Sequence, residues 1–99
     1  MDTGLPPKTI QALKSVFKQF DAIDKVVLYG SRALGTHRPG SDIDLALFGN
    51  RVTLDLIASI ALLIDDLLLP YTLDLTAYAL IDNDALRDHI NRVGIELFQ

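Results

Sequence analysis

The sequence contains no cysteine, which excludes disulfide bonds, thiolate metal sites and a thiol nucleophile. It also has no long uninterrupted apolar run. The most apolar stretch, residues 54–69, is broken by three aspartates and is shorter than the roughly 20 residues that a transmembrane helix needs. No basic segment followed by an apolar one stands at the N-terminus, so we expect no signal peptide. These features predict no membrane association and fit a cytoplasmic protein.

Basic residues are few: nine Lys and Arg stand against 13 Asp and Glu, which gives a formal net charge of −4. Proteins that bind long nucleic acids normally carry clustered Lys and Arg, and the basic residues here are scattered. An extended nucleic-acid partner is therefore not expected. The apolar fraction is 49% of 99 residues, which predicts a folded chain with one domain over residues 1–99.

The hydrophobic pattern predicts alternating helices and strands. Period 3.6 predicts helices at residues 6–20, 53–68 and 84–93, with a short helix at 31–35. Apolar or alternating runs predict strands at Lys25–Tyr29, 42–48 and 71–78, with a possible strand at Ile95–Phe98. Thr53 is expected to cap the third helix, and Asn83 or Asp82 the last. The order αβαβαβα predicts an α/β (α+β) fold with helices packed on a small mixed sheet.

The predicted helix at residues 53–68 is apolar on most of its circumference. One apolar stripe contains Ile57, Ile60 and Ile64, and a second, nearly opposite stripe contains Leu54 and Leu62. Such a helix is either covered on two sides by the same chain or bound by a partner. A partner protein or a homodimer is the preferred interpretation.

Three aspartates stand where a strand core would favour apolar residues. Asp42 and Asp44 are two residues apart on one predicted strand, so both project from the same side, and Asp74 lies in the next predicted strand. If these strands are neighbours, three carboxylates repel each other unless cations neutralise them. Two Mg²⁺ ions about 4 Å apart would do so and support displacement at phosphorus. Taken singly, each aspartate could be a solvated strand or turn residue.

Gly30 and Ser31 follow the first predicted strand and open the short second helix. Glycine allows close approach of a phosphate to the backbone, and the following amides with the Ser31 hydroxyl can donate hydrogen bonds to it. Alone, this pair could be a plain turn with a capped helix. Together with the aspartates it predicts a nucleoside triphosphate site.

These motifs resemble the nucleotidyltransferase superfamily that includes DNA polymerase β. Its signature is Gly-Ser, ten residues and Asp-x-Asp, matched here by Gly30-Ser31 and Asp42-Ile43-Asp44. Asp74 occupies the place of that family's third carboxylate. The chain length and the final helix and strand are similar to the minimal nucleotidyltransferases (MNT proteins). The resemblance implies the polymerase β-like nucleotidyltransferase core.

The resemblance also implies an activity. MNT proteins are commonly encoded beside a HEPN-domain toxin, and MntA-type antitoxins transfer AMP from ATP to a tyrosine of that toxin. By this resemblance Asp42 and Asp44 would ligate both metals, and Asp74 would ligate the catalytic metal and help to deprotonate the attacking hydroxyl. The residues implied for nucleotide binding are Gly30, Ser31, Arg32 and Ser41.

Several alternatives remain open at this stage. Arg32 could contact phosphate or pair with a carboxylate, and His37 and Arg38 could be solvated loop residues or partner contacts. The chain could be a non-catalytic antitoxin that masks its toxin. It could also transfer a nucleotide to a small molecule or an RNA end, although the extra domain and basic surface that would favour these acceptors are lacking.

Overall fold

The computed structural model describes residues 3–99. The helices are α1 (Pro7–Phe17), α2 (Ser31–Leu34), α3 (Leu54–Asp65) and α4 (Asp84–Val93). The strands are β1 (Lys25–Tyr29), β2 (Ile43–Phe48), β3 (Leu73–Ala77) and β4 (Ile95–Phe98). A 3₁₀ turn at Tyr78–Leu80 follows β3 and was not predicted. The predicted order of elements is confirmed, and the terminal strand is present.

The helix caps follow the sequence prediction. The Thr53 hydroxyl accepts a hydrogen bond from the Leu56 amide at 3.1 Å, and the Asn83 side chain accepts one from the Leu86 amide at 3.1 Å. Each cap satisfies a backbone donor that the first helical turn leaves unpaired. Helix α3 ends at Asp65, earlier than predicted. After it the Leu67 and Leu68 amides donate to the carbonyl oxygens of Ile64 and Asp65 at 3.0 and 3.1 Å, and Leu68 takes a left-handed conformation with φ of 54°. Two aspartates at the carboxyl end of α3 also oppose the helix dipole.

The four strands form one mixed sheet in the order β3-β2-β1-β4. β1 pairs antiparallel with β2 and with β4, whereas β2 and β3 are parallel and are connected through α3. A parallel pair needs such a crossover connection. The predicted mixed sheet with packed helices is therefore confirmed, and the strands that carry Asp44 and Asp74 are neighbours.

The two faces of the sheet are covered unequally. One face packs against α1 and α3 in a large apolar cluster that includes Leu13, Phe17, Leu45 and Ile60. The opposite face packs against α4 in a small cluster with the following buried members: Val27, Tyr29, Ala46, Ile81 and Ile90. Helix α4 thus covers only part of its face, which leaves room for polar side chains beyond it.

The two apolar stripes of α3 differ in burial. Ile60 and Ile64 are buried in the large cluster, whereas Leu54 and Leu62 are 71% and 67% exposed. The rest of the described chain, residues 3–99, therefore does not cover the second stripe. A partner or homodimer over it stays a prediction.

No helix within the described residues 3–99 is both long enough and apolar enough to cross a membrane.

Candidate active site

The parallel pairing of β2 and β3 brings two of the predicted carboxylates side by side. Asp44 and Asp74 are partners in register, so their side chains project from the same face of the sheet on strands about 4.8 Å apart. This is the face covered by α4, because Ala46 of β2 belongs to the small cluster. Asp44 is half-buried and Asp74 is exposed. The site is thus an acidic pair at the open end of the α4 face.

Asp42 lies immediately before β2 rather than within it, and its side chain is exposed. Its charge still reaches Asp44. Burial, followed by the negative charges of Asp74 and Asp42, raises the pKa of Asp44 above its usual value, and His89 acts in the opposite direction. Within residues 3–99 no group of three or more His, Asp or Glu side chains forms a ready-made ion cage. The three aspartates repel one another and are not drawn into one cluster.

Gly30 forms the turn that faces this acidic pair. Its backbone has φ of 76° and ψ of −153°, a conformation that residues with a side chain rarely adopt. A Cβ atom at this position would overlap the carboxylate of Asp44. The turn therefore lies directly against Asp44 because residue 30 is glycine. Ser31 follows it as the first residue of α2 and is half-buried.

Sequence reasoning missed His89, which lies on α4 and contacts the turn from the other side. Its Nε2 atom accepts a hydrogen bond from the Gly30 amide at 3.2 Å. Its ring meets Tyr29 edge-on, with ring centroids 6.1 Å apart. The sequence holds one weak signal: His89 stands next to Ile90, on the border of the apolar stripe of α4. That position predicts a half-buried side chain but not its partner, which is 59 residues away.

Tyr29 is a second residue that the sequence did not single out. It is buried at the end of β1, opposite Asp44, and its hydroxyl lies 3.3 Å from the Thr76 hydroxyl oxygen. Burial raises the pKa of Tyr29, and the charges of Asp74 and Asp44 add to this effect. Tyr29 therefore forms the floor of the acidic pair.

Arg32 is almost completely buried, at 1% exposure. Its Nε and Nη2 donate to the Ser41 carbonyl oxygen at 3.2 and 2.9 Å, and its Nη1 donates to the Thr3 carbonyl oxygen at 2.8 Å. The guanidinium also lies over the ring of Tyr71, 5.1 Å from its centroid. Arg32 thus fixes the residue before Asp42 by contacts to the backbone. Its assignment to a phosphate stays a prediction.

Ser41 closes the loop before β2. Its hydroxyl oxygen accepts a hydrogen bond from the Arg38 amide at 2.8 Å, which makes a tight turn. The predicted contact of Ser41 with a nucleotide is not tested by this geometry. Within the same loop Arg38 is exposed and His37 is half-buried.

Comparison with known proteins identifies the family of this chain. Residues 11–99 match the family model described as Polymerase beta, Nucleotidyltransferase. The chain belongs to this nucleotidyltransferase family. The resemblance found in the sequence is thereby confirmed for almost the full length. No curated protein matches the chain.

Two solved toxin–antitoxin structures share the fold. A mutant of the MntA-HpeT toxin–antitoxin is 19% identical, with a TM-score of 0.70, and the match covers 94% of this chain and 72% of that one. A toxin–antitoxin with AMP-PNP is 21% identical, with a TM-score of 0.72, covering 94% of this chain and 73% of that one. At this identity the likeness establishes the nucleotidyltransferase fold.

Proposed function

We propose that this nucleotidyltransferase uses Mg²⁺ to transfer AMP from ATP to a hydroxyl group of a partner protein, a tyrosine of a HEPN-domain toxin, and thereby acts as an antitoxin. The observation that carries the chemistry is the in-register pair Asp44 and Asp74 beside the Gly30 turn. Family membership supports nucleotidyl transfer, and the acceptor is the inferred part.

The residues present fit a Mg²⁺ site. Carboxylate oxygens are the donors that Mg²⁺ prefers, and one or two carboxylates with substrate phosphates and waters commonly hold it. Burial and, second to it, the negative charges of Asp74 and Asp42 raise the pKa of Asp44, and a cation would relieve the repulsion between these charges. Asp44 and Asp74 would hold the metal, and Asp42, just before β2, would join them if its side chain turned toward the pair. When bound, Mg²⁺ neutralises charge on the phosphates and on the leaving group, and two ions are expected by family resemblance.

The proposed reaction is a displacement at the α-phosphorus of ATP. The acceptor oxygen forms a bond to this phosphorus, the bond to the oxygen that bridges to the β-phosphorus breaks, and pyrophosphate leaves. The acceptor proton passes to the Asp74 carboxylate, which is the exposed member of the pair. The Gly30 turn and Ser31, which lie against Asp44, would hold the β- and γ-phosphates beside the metal, as the family resemblance implies. Positioning of this kind supplies most of the catalysis in phosphoryl transfer.

Two observations support a protein acceptor and the antitoxin role. The similar structures are toxin–antitoxin pairs, one of them with the ATP analogue AMP-PNP. In addition, α3 exposes an apolar stripe that a protein partner could cover. A purely masking antitoxin would use the same stripe, so masking remains the second candidate. A small molecule or RNA acceptor finds no such support.

Labelled ATP tests the proposal. The protein is incubated with Mg²⁺, the product of the adjacent gene and ATP that carries the label either on the α- or on the γ-phosphate. We expect the α-label on a tyrosine of that product, no transfer of the γ-label, and loss of transfer with Asp44→Asn. If no α-label is transferred, or if Asp44→Asn transfers as well as the wild type, the catalytic proposal fails. Protection of cells by the inactive Asp42→Ala/Asp44→Ala variant would favour masking.

A further inference from the structure

Exposed leucines lie along α3, in the segment after it, and just after β3. Five large apolar side chains are strongly exposed among the described residues 3–99, and four of them lie between residues 54 and 80. These four are Leu54 at 71%, Leu62 at 67%, Leu68 at 88% and Leu80 at 56%. We call the region that they outline the α3–β3 surface. Exposed large apolar side chains that lie near one another often mark interaction sites.

Two grooves run through the α3–β3 surface. The larger, of about 550 Å³, lies between α3 and β3 and is lined by residues that include Leu68, Tyr71 and Leu73. The smaller, of about 330 Å³, reaches Leu54 and Leu80. Both share Ile57 and Leu75, so the two grooves adjoin, and their lining mixes leucine and isoleucine side chains with polar ones. They lie beside β3, which is one of the two edge strands of the sheet.

Leu68 is strained as well as exposed. It is the non-glycine residue with positive φ in residues 3–99, at 54°, and this conformation costs roughly 1–2 kcal/mol for a residue with a side chain. The chain gains little burial in return, because the side chain is 88% exposed. Residues in strained conformations often lie at functional sites.

The charged side chains that line the two grooves, within the described residues 3–99, are both acidic: Asp65 in the larger groove and Asp82 in the smaller. Residues 52–86 contain no Lys, Arg or His, although the chain has nine Lys and Arg in total. The six acidic residues of this segment are all exposed and are Asp55, Asp65, Asp66, Asp74, Asp82 and Asp84. A partner that carries Lys and Arg around an apolar centre would match this surface. A second copy docked by the same surface would place aspartates against aspartates, because a two-fold interface repeats the same patch on both sides.

We propose that the α3–β3 surface docks a partner protein through an apolar segment bordered by lysine and arginine side chains. This inference rests on the proposed function in naming the partner as the protein that receives AMP. Leu73 and Leu75 line the groove on the α1–α3 face, whereas Asp74, between them on the edge strand β3, faces the α4 side. A partner that fills the groove and continues around this edge would reach the carboxylate pair. Docking there would bring an acceptor hydroxyl of the partner to the site.

The test uses two synthetic amphipathic peptides as probes, titrated into the isotope-labelled full chain. They share one leucine pattern and differ at the polar positions, which are all Lys in one peptide and all Glu in the other. We expect the Leu/Lys peptide to shift backbone signals of residues 54–86 and to bind at least about tenfold more tightly than the Leu/Glu peptide. This preference should shrink at high salt, where surface charges are screened.

Leu68→Asn separates docking from folding, because asparagine tolerates positive φ and leaves the fold intact. We expect this variant to lower the affinity for the Leu/Lys peptide at least about fivefold without lowering the unfolding temperature. Leu34→Asn is the matched control, since Leu34 is 53% exposed but lies on α2. It should bind the peptide like the wild type.

Three results would overturn the inference. Both peptides could bind equally, the shifted backbone signals could be centred outside residues 54–86, or sedimentation could show a wild-type homodimer that dissociates in the Leu68→Asn variant. Failure of the proposed function is distinguishable from all three. Docking of the Leu/Lys peptide without any AMP transfer to the adjacent gene's product would overturn the proposed function and support the docking surface.

Discussion

The two faces of the sheet use adjacent residues of one strand for opposite purposes. Leu45 of β2 is fully buried against α1 and α3, whereas Asp44, its neighbour, faces the α4 side and is only half-buried. The first face has a large apolar cluster and the second a small one that stops short of the carboxylates. We infer that most of the stability of the fold comes from apolar side chains buried on the α1–α3 face, whereas the α4 face leaves part of its surface unburied and carries a polar site there.

The largest effect on stability is expected on the α1–α3 face. Leu45→Ala removes buried side-chain atoms and leaves a cavity, which should lower the free energy of unfolding by about 2–5 kcal/mol. Urea unfolding measures it. The same substitution at Leu62, an exposed position, is the control and should change stability by less than about 0.5 kcal/mol. If Leu45→Ala lowers the free energy of unfolding only slightly, the proposed difference between the two faces is contradicted.

Substituting Arg32 tests whether this buried charge serves the stability of the fold or the binding of the nucleotide. Arg32→Met leaves the carbonyl groups of Thr3 and Ser41 without their donors, so we expect a loss of about 2–3 kcal/mol in the free energy of unfolding. Thermal and urea unfolding in the absence of nucleotide measure this. A variant with unchanged stability but weakened ATP binding would instead favour the phosphate contact predicted from the sequence.

His89 should affect the site more than the fold. His89→Phe keeps a ring against Tyr29 but loses the acceptor for the Gly30 amide, and His89→Gln can retain an acceptor. One hydrogen bond contributes about 0.5–1.5 kcal/mol, so His89→Phe should weaken nucleotide binding roughly 3–10-fold and speed hydrogen exchange of the Gly30 amide. His89→Gln should restore much of both. If both variants exchange this amide at the wild-type rate, the positioning role is lost.

The smallest effect is a pH dependence at Asp44. Because its pKa is raised in the folded protein, the native state holds this proton above the ordinary aspartate pKa of about 3.9. In metal-free buffer, ionisation of Asp44 should therefore reduce stability as the pH rises from about 3.9 through the native pKa. Asp44→Asn should flatten this part of the profile and be the more stable form at neutral pH. Measurement of the unfolding free energy against pH for both forms tests this prediction. The control is Asp55→Asn, which replaces an exposed carboxylate on α3.

The sequence predicted the features that depend on neighbouring residues. Thr53 and Asn83 cap the expected helices, and the apolar runs form the expected strands. The proximity of Asp44 and Asp74 was predicted from the alternation of side chains along their strands, on the condition that the two strands are neighbours in the sheet.

The features that it could not predict depend on distant segments. Arg32 meets Thr3 and Ser41 only after the chain has folded, and His89 reaches Gly30 across 59 residues. No local pattern specifies such pairs. The early end of α3 was also missed, because Pro70 is an obvious stop signal whereas the left-handed turn at Leu68 is not favoured by leucine.

Titration calorimetry with a non-hydrolysable ATP analogue tests the central claim most directly, that the acidic pair and the Gly30 turn form a Mg²⁺–nucleotide site on the α4 face. We predict that the analogue binds in Mg²⁺ and binds little or not at all in EDTA. Asp44→Asn should lower its affinity more than about 100-fold, because losing a residue that only hydrogen-bonds a metal ligand already costs 10–100-fold. Leu62→Ala should bind like the wild type. Equal binding with and without Mg²⁺, or wild-type affinity in Asp44→Asn, would contradict the account.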